Sequence, residues 1–251
     1  MPKFFIKNEQ INDNRIVISG EDVNHIANVL RMKIDDELQI CDIDTSDNYV
    51  ANISEIGKDK IMCSICKKIK SEAESDINLT IFQGIPKSDK MELIIQKSTE
   101  LGVKEIIPVA MERCVSKISG KDEIKKIERW QKISEVAAKQ SGRDIIPKIK
   151  NVVKIKEICE LIKDFDMIIV PYEKAEDVSF KNAIEEIKAL KKADLKIGIV
   201  IGPEGGFEPS EINLLQEVGA KIVTLGKRIL RTETVALAMS SVIMYELGGS
   251  I

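Results

Sequence analysis

Two glycine-containing segments in the last third of the chain carry the residue types best suited to holding a small molecule. The first, at residues 202–207, reads Gly-Pro-Glu-Gly-Gly-Phe and directly follows an apolar run. Glycine tolerates positive φ and lets main-chain N–H and C=O groups approach a ligand, because no Cβ intervenes. Pro203 and Pro209 stiffen the loop and reduce the entropy lost on binding. Alone, this segment also fits an ordinary tight turn between a strand and a helix.

The second segment, at residues 225–234, brings positive charge to the start of a predicted helix. It reads Leu-Gly-Lys-Arg-Ile-Leu-Arg-Thr-Glu-Thr, with Thr232 placed as an N-cap. Its lysine and two arginines, together with the partial positive charge of the helix N-terminus, favour an anion. Alternatively, the arginines cap neighbouring carbonyl groups or pair with Glu233.

Neither segment is one of the common nucleotide-binding motifs. No Gly-Lys-Ser/Thr follows the glycine loop, and its spacing is not Gly-x-Gly-x-x-Gly. Ligands of open parallel sheets bind beyond the carboxyl ends of the strands. A third segment, Val170-Pro171-Tyr172-Glu173, is placed at such an end. The three segments are therefore candidates for a single cofactor site of another kind.

The cysteines and the histidine do not predict a metal site. The chain has five cysteines, an odd number, and one histidine. Cys63 and Cys66 have a ligand-like spacing, but they lie in a predicted strand, where residues three apart point to opposite faces. Scattered cysteines of odd number also argue against a disulfide framework. We predict structural cysteines and no metal.

A chain of 251 residues is long enough for one large domain or for two unequal ones. No apolar run approaches the roughly 20 residues of a membrane helix. The N-terminus becomes polar too soon for a signal peptide, so we expect a cytoplasmic protein. The net charge is −3, yet residues 76–160 carry 17 basic against 13 acidic residues. This basic middle third suits phosphate contacts, although such helices are usually solvated faces.

The first 70 residues read mostly as short strands. Alternating or β-branched runs predict strands at residues 38–43, 49–56 and 60–69, with one helix at about 21–30. This pattern is typical of a small β-barrel. Residues 70–76 are polar and aperiodic, which predicts a domain linker.

Beyond the linker, strands and helices alternate. Strands are predicted at residues 79–83, 105–109, 167–170, 196–201 and 221–225. Helices are predicted from a cap at Ser88 to Gly102, over 122–141 and 179–192, from a cap at Ser210 to Gly219, and over 232–247. Apolar strands without alternation indicate a mainly parallel sheet covered on both faces.

The two glycine-containing segments together resemble the SPOUT, or trefoil-knotted, methyltransferases. More narrowly, the chain resembles the 16S ribosomal RNA uracil-N3 methyltransferase family. The likeness extends to residues 90–103, Lys-Met-Glu-Leu-Ile-Ile-Gln-Lys-Ser-Thr-Glu-Leu-Gly-Val, to Arg129-Trp130, and to residues 135–143. His25 and the run Val29-Leu-Arg-Met-Lys33 match the N-terminal segment of that family. The joint occurrence of these motifs is highly specific.

The resemblance implies an α/β fold in two domains. Residues 1–72 would form a PUA-like RNA-binding β-barrel, and residues 73–251 a SPOUT domain whose mainly parallel sheet is threaded into a trefoil knot. It also implies S-adenosyl-L-methionine as methyl donor, 16S ribosomal RNA or the small ribosomal subunit as substrate, and a homodimer with each cofactor site near the subunit interface. The last helix suits an interface, since its Ala236, Ala238, Ser240 and Ser241 allow close approach. A buried core helix would look the same.

The site residues follow from the loops and from the matched motifs. We assign cofactor binding to Pro171, Ile201, Gly202, Pro203, Glu204, Gly205, Gly206, Leu225, Gly226, Ile229, Leu230 and Thr232. RNA binding is assigned to Lys3, His25, Arg31, Lys33, Lys139 and Arg143. Asn24, Asp35 and Lys3 depart from the residues usual in the family, which bears on RNA contacts more than on chemistry. Lysine is a poorer bidentate ligand than arginine.

Arg231 and Glu233 are the predicted catalytic residues. Uracil is a weak nucleophile until its ring proton leaves, so Arg231 is expected to stabilise the anion. Glu233 or Glu204 would accept the proton only if burial raised its pKa, and an ion pair is the favoured role of Glu233. Proton loss to water remains open. His25 suits RNA contact or packing better than catalysis, and Trp130 suits the core better than base stacking.

Three other functions remain compatible with the sequence. A non-catalytic RNA-binding assembly factor would keep the fold without binding S-adenosylmethionine. A SPOUT methyltransferase could act on another RNA position. An unrelated nucleotide-binding α/β enzyme would need a phosphate-binding motif that the sequence does not offer.

Overall fold

The structure, a computed structural model, describes residues 1–70, 73–116, 118 and 120–248. Contacts divide the chain into two compact units. The N-terminal unit comprises Met1–Glu74 and Ala138–Ile146, and the C-terminal unit comprises Ser75–Ala137 and the residues from Pro147 onward. Ser71 and Glu72, in the predicted linker, lie outside the described residues, so a boundary after residue 72 stays a prediction. The sequence does not indicate that residues 138–146 group with the N-terminal unit.

The N-terminal unit is built on a six-stranded, largely antiparallel sheet. Its strands are β1 (Lys3–Ile6), β2 (Ile11–Asn12), β3 (Arg15–Ser19), β4 (Glu37–Asp42), β5 (Asn48–Ile56) and β6 (Lys60–Ile69). The order across the sheet is β1-β4-β5-β6-β3-β2, and only the β1–β4 pair is parallel. The three predicted strands are confirmed, whereas β1, β2 and β3 were not predicted.

One face of this sheet forms the core of the unit, and the alternation of buried apolar with exposed residues is clearest on β3. Ile16 and Ile18, for example, are buried on β3, while Arg15 and Ser19 are exposed. The predicted helix begins as α1 (Glu21–Asn24) and continues as a π-helical turn over His25–Val29. It contributes Val23 and Ile26 to the same core.

The C-terminal unit contains a parallel sheet of seven strands, as the apolar strands predict. They are β7 (Asn78–Gly84), β8 (Glu105–Ala110), β9 (Lys148–Ile149), β10 (Val153–Lys154), β11 (Met167–Pro171), β12 (Lys196–Ile201) and β13 (Lys221–Val223). The order is β10-β8-β7-β12-β11-β13, and β9 also pairs with β8. All of these pairs are parallel. The mixed α/β fold is confirmed, and the trefoil knot stays an expectation of the resemblance.

Helices cover both faces of this sheet. They are α2 (Lys90–Glu100), α3 (Lys121–Ser141), α4 (Ile155–Leu161), α5 (Phe180–Ala189), α6 (Pro209–Glu217) and α7 (Thr232–Leu247). Successive strand residues point to opposite faces. Ile199 and Ile201 therefore pack in one core with residues of α2, α5 and α7, and Val200 packs in a second core with residues of α4 and α6.

The structure corrects several helix starts. The N-cap of α2 is Asp89 rather than Ser88, and the N-cap of α6 is Glu208 rather than Ser210. Helix α4 and the two-residue strands β9 and β10 were not predicted, because a seven-residue helix and a two-residue strand show too little periodicity. Of the helices in the described ranges, none combines the length and apolar character needed to cross a membrane.

Candidate functional site: a cofactor cavity in the C-terminal unit

A cavity of about 880 Å³ lies where the strands β11, β12 and β13 end. Pro171, Ile201 and Thr224, which end these strands or directly follow them, all line it. The carboxyl ends of parallel strands meet at one edge of a sheet, so the three loops that follow them are brought together. A cavity of this size suits a small-molecule ligand.

Every predicted cofactor residue lines this cavity. The set is Pro171, Ile201, Gly202, Pro203, Glu204, Gly205, Gly206, Leu225, Gly226, Ile229, Leu230 and Thr232. Tyr172, Glu173, Glu176 and Val235 line it as well. Of the loop after β11, only Pro171 was predicted to bind the cofactor. The convergence of the segments is an observation, and their use for a cofactor stays a proposal.

The glycine loop after β12 folds tightly against its own phenylalanine. The Gly206 N–H donates to the Pro203 carbonyl at 2.9 Å, and Gly206 has a φ of +69°. A Cβ built on Gly202 would lie 3.1 Å from the Phe207 ring, which leaves little room for a side chain. Both glycines are therefore required by the path of the loop itself. Main-chain groups border the cavity because no side chain covers them at these positions.

Thr232 connects the two cofactor loops rather than capping α7. The N-cap of α7 is Arg231, and Thr232 is the first residue of the helix, which corrects the predicted capping role. The Thr232 hydroxyl donates to the Gly202 carbonyl at 2.7 Å and accepts from Gln83 Nε2 at 2.8 Å. Since Thr232 and Gln83 are both buried, this chain of hydrogen bonds fixes the start of α7 against the glycine loop.

Positive charge lines one side of the cavity. Lys227, Arg228 and Arg231 are all exposed and belong to its lining. Arg231 directly precedes α7, whose N-terminus adds partial positive charge. This side is suited to an anion that forms within the cavity or arrives from solvent.

Glu204 and Glu233 pair with Lys90, not with the arginines. Glu233 does not line the cavity, and its Oε2 lies 3.4 Å from Lys90 Nζ without the geometry of a hydrogen bond. This contradicts the expected pairing of Glu233 with Arg231 or Arg228. Glu204 Oε1 lies 3.0 Å from the same ammonium group. Burial alone would raise the pKa of the Glu204 carboxyl, but hydrogen bonds from Lys90 and from backbone N–H groups hold that pKa below its ordinary value.

Three predicted RNA-binding residues are exposed in the N-terminal unit. His25, Arg31 and Lys33 lie on or just after the α1 segment and reach the surface. His25 makes an edge contact with Phe4, with ring centroids 6.1 Å apart. Val29, Leu30 and Ile34 add exposed apolar side chains to this stretch. The surface is accessible to a partner, and its use for RNA stays a prediction.

The other three predicted RNA contacts are held in ion pairs. Lys3 is buried and pairs with the buried Asp144, while Arg143 is buried and pairs with Glu74. The Lys139 ammonium lies 3.0 Å from Asp22 Oδ1. A buried cation that already has a carboxylate partner does not reach a phosphate in solvent. The structure therefore contradicts the assignment of Lys3 and Arg143 to RNA contact.

The remaining candidates have structural roles. Trp130 is 5% exposed and packs in the core with α2, as expected. Cys63 is buried and Cys66 is exposed, in agreement with opposite faces of a strand. Burial raises the pKa of Cys41 to about 12 and that of Cys63 to about 11, so both thiols stay protonated. Within the described ranges, no cluster of three or more His, Cys, Asp or Glu side chains is arranged to hold a metal.

Two domain families match the chain. The RNA methyltransferase domain family matches residues 73–244, and the RNA methyltransferase PUA domain family matches residues 18–66. The first match alone spans more than half of the chain and contains the whole cavity.

Known relatives are similar over nearly the full length. A ribosomal RNA small subunit methyltransferase E from Bacillus subtilis (strain 168) is 36% identical over 98% of this chain and 97% of its own. The crystal structure of a ribosomal RNA small subunit methyltransferase E from Neisseria gonorrhoeae, bound to S-adenosyl methionine, is 29% identical. It covers 98% of this chain and 97% of its own with a TM-score of 0.85. A methyltransferase from Legionella pneumophila in complex with the bound cofactor SAM is 28% identical over 97% of this chain and 96% of its own, with a TM-score of 0.83.

Proposed function

Because this chain belongs to the RNA methyltransferase family, and within it to the ribosomal RNA small subunit methyltransferase E group, we propose that it methylates ring N3 of a uridine in 16S ribosomal RNA. The methyl donor is S-adenosylmethionine, to which the Neisseria gonorrhoeae relative is bound. The substrate is the 16S RNA or the small subunit that contains it, and the protein acts in the cytoplasm.

The convergence of the two glycine-containing loops on one cavity carries this proposal. Residues 202–206 and 225–230 line the same cavity, and the main-chain N–H and C=O groups of its glycines are suited to the polar edge of an adenine. Apolar side chains of Ile201, Leu225 and Leu230 provide contacts for the ring and the carbon chain. The residues present therefore fit an adenosyl ligand.

Arg231 is the residue that we assign to the chemistry. When bound, S-adenosylmethionine supplies a sulfonium methyl group that is already activated for transfer. The protein must therefore orient the uracil for an in-line displacement and stabilise the negative charge that forms on its ring. Arg231 is exposed and lines the cavity, and a guanidinium group presents several N–H donors in one plane, so this residue suits the role.

Neither of the two predicted proton acceptors, Glu204 and Glu233, is suited to accept the ring proton. Glu204 has a lowered pKa, which makes it a weaker base than an ordinary carboxylate. Glu233 lies beside the same Lys90 ammonium, and ion pairing is its role in this arrangement. We therefore assign proton loss to water, with Arg231 stabilising the resulting uracil anion.

Binding of the methyl donor and modification of the RNA are tested by two measurements. Isothermal titration with S-adenosylmethionine should give one site per chain. Mass mapping of small-subunit RNA from cells with and without the protein should identify one uridine that loses its N3 methyl group. A chain that binds no S-adenosylmethionine would contradict the enzymatic assignment and favour a non-catalytic assembly factor. A methyl group at another atom or base would correct the substrate position.

The exposed basic segment after α1 is the proposed RNA surface. Arg31 and Lys33 supply charge for phosphates, and His25, Val29 and Leu30 supply surface for bases or sugars. Contacts to phosphates release counterions, so they make binding dependent on salt.

Replacing Arg31 and Lys33 with alanine should weaken RNA binding and lower the slope of log affinity against log salt by about 1 to 2 units. The reason is that each lost phosphate contact removes roughly one released counterion. Filter binding at several salt concentrations measures this slope. The matched control is Lys58→Ala with Lys60→Ala, two exposed lysines of the same unit that are not assigned to RNA. An unchanged slope in the Arg31 and Lys33 variant would remove these residues from the RNA surface.

We further propose that the protein acts as a homodimer through α7. Two large apolar or aromatic side chains of this helix reach the surface: Val242 is 41% exposed and Tyr245 is 69% exposed. Of the small residues on α7, Ala236 and Ser240 are buried within their own unit, whereas Ala238 is exposed. Exposed apolar side chains on one helix favour a protein contact. Sedimentation equilibrium tests the proposal, and a monomer at micromolar concentration would contradict it.

A further inference from the structure

The β7–α2 connection, here residues 84–90 from the last residue of β7 to the first of α2, contacts both cofactor loops. It contains none of the predicted cofactor residues, although Lys90 lines the cavity. We propose that this connection, through the side chain of Lys90, holds the two loops at the separation that S-adenosylmethionine requires. Lys90 is then a positioning residue for cofactor binding. The inference rests on the proposed function, because it assigns a role within the same site.

Lys90 joins the two loops by one ammonium group. Its Nζ lies 3.0 Å from Glu204 Oε1 in the loop after β12, and 3.4 Å from Glu233 Oε2 at the start of α7. The loop after β12 and residues 224–235, which run from the end of β13 into α7, provide most of the cavity wall. The Lys90 ammonium attracts both carboxylates. If either segment moves away, its carboxylate loses this electrostatic attraction, so the lysine resists movement of both segments.

The backbone of the same connection also holds the glycine loop. The Lys87 N–H donates to both carboxylate oxygens of Glu204, at 3.1 and 3.3 Å. A Cβ built on Gly84 would lie 2.7 Å from Pro203 Cδ, so the connection and the glycine loop are already in close contact. Gln83, the residue before, donates to Thr232, whose hydroxyl donates to the Gly202 carbonyl. Three residue pairs, Gln83–Thr232, Gly84–Pro203 and Lys87–Glu204, therefore link the end of β7 and this connection to the cavity wall.

The ammonium group is anchored by the helix that it begins. Helix α2 buries Met91, Ile94 and Ile95 in the core and packs against α7. Lys90 therefore projects from a fixed support. Without its charge, Glu204 and Glu233 would be two neighbouring carboxylates with no cation between them, and Glu233 Oε2 is already buried without a hydrogen bond. Repulsion between them would move the loops apart.

Replacing Lys90 with methionine should raise the dissociation constant for S-adenosylmethionine about tenfold, a size typical of coupled neighbouring side chains. The KM for S-adenosylmethionine should rise with it, while the KM for RNA should stay unchanged. The thermal midpoint should fall modestly, because Glu233 is 15% exposed and loses its cation, so both constants are measured well below the midpoints of the variants. Titration calorimetry and steady-state kinetics on the full chain measure these quantities.

Two further variants test whether the Lys90 charge positions the two loops or whether loss of any lysine on α2 has the same effect. Lys97→Met is the matched control, since Lys97 lies on the same helix and pairs with Glu100 outside the cavity. It should bind S-adenosylmethionine as the wild type does. Lys90→Arg keeps the charge and should restore most of the affinity. Should Lys90→Met fail to fold, Lys90→Gln replaces it in the same comparison.

The inference is overturned if the Lys90→Met variant binds S-adenosylmethionine as tightly as the wild type, or if Lys97→Met loses as much affinity. It is also overturned if Lys90→Arg binds no better than Lys90→Met. Failure of the wild type to bind S-adenosylmethionine would instead contradict the proposed function. The two failures are therefore distinguishable in one set of titrations.

Discussion

Replacing Arg231 with alanine is expected to lower the turnover number of methyl transfer about 100- to 1000-fold, as loss of a charge-stabilising donor does in other enzymes. The affinity for S-adenosylmethionine should change by less than about threefold, since Arg231 acts on charge that forms only during reaction. Negative charge on the uracil ring needs a cation within a cavity wall, and Arg231 lies in that wall at the N-terminus of α7. Single-turnover kinetics with saturating S-adenosylmethionine, together with titration calorimetry, measure both quantities.

Three variants make the Arg231 prediction specific. Arg129→Ala removes an exposed arginine of the same unit that pairs with Glu92 outside the cavity, and it should leave turnover unchanged. Arg231→Lys keeps the charge but loses the planar guanidinium group and its several N–H donors. Its activity should therefore lie between those of wild type and Arg231→Ala. If Arg228→Ala loses as much turnover as Arg231→Ala, the loss reflects the total positive charge of the loop and not a specific role of Arg231. Equal turnover in wild type and Arg231→Ala would exclude Arg231 from the mechanism.

Replacing Lys3 with methionine should destabilise the protein by about 3–5 kcal/mol, because it leaves the buried Asp144 carboxylate without its partner. The two side chains are 2% and 3% exposed, and the Lys3 ammonium also donates to the Gly142 carbonyl. Asp144 Oδ2 already has no hydrogen-bond partner, so the ion pair is the main compensation for its burial. Urea unfolding of the RNA-free protein measures the loss in the free energy of unfolding.

An exposed lysine–aspartate ion pair in the same unit is the control for Lys3. Lys68 pairs with Asp47 in the same unit but is 60% exposed, so Lys68→Met should leave the free energy of unfolding nearly unchanged. The double variant Lys3→Met with Asp144→Leu removes both buried charges and should recover much of the lost stability. Wild-type stability in Lys3→Met would contradict a structural role and restore Lys3 as a candidate RNA contact.

The loops that line the cavity were predictable because each carries its own local signal, whereas Lys90 and Val235 in the same lining were not predicted. Glycines at 202, 205 and 206 mark a loop open to a ligand, and the apolar run before them marks a buried parallel strand. The carboxyl ends of parallel strands meet at one edge, so a sequence that predicts strands also predicts which loops converge. The identity of the methyl donor came from the resemblance and was not derivable from these loops.

The partners of charged side chains were not predictable in the same way. Lys90 is separated from Glu204 by 114 positions and from Glu233 by 143, and Lys3 from Asp144 by 141. No local pattern distinguishes a lysine that contacts a phosphate from one that a distant carboxylate neutralises. The predicted pairing of Glu233 with a neighbouring arginine was wrong for this reason.

The sequence by itself determined most of the longer helices and strands, the parallel sheet and the loops that border the cavity, because backbone conformation and apolar periodicity depend on nearby residues. Only the tertiary structure decided that Thr232 binds the Gly202 carbonyl, that Lys90 lies between two carboxylates, and that Lys3 is buried. Such pairings depend on which distant segments the fold brings within hydrogen-bonding distance. Burial then determines whether a charge is available to a substrate or is used to hold the fold together.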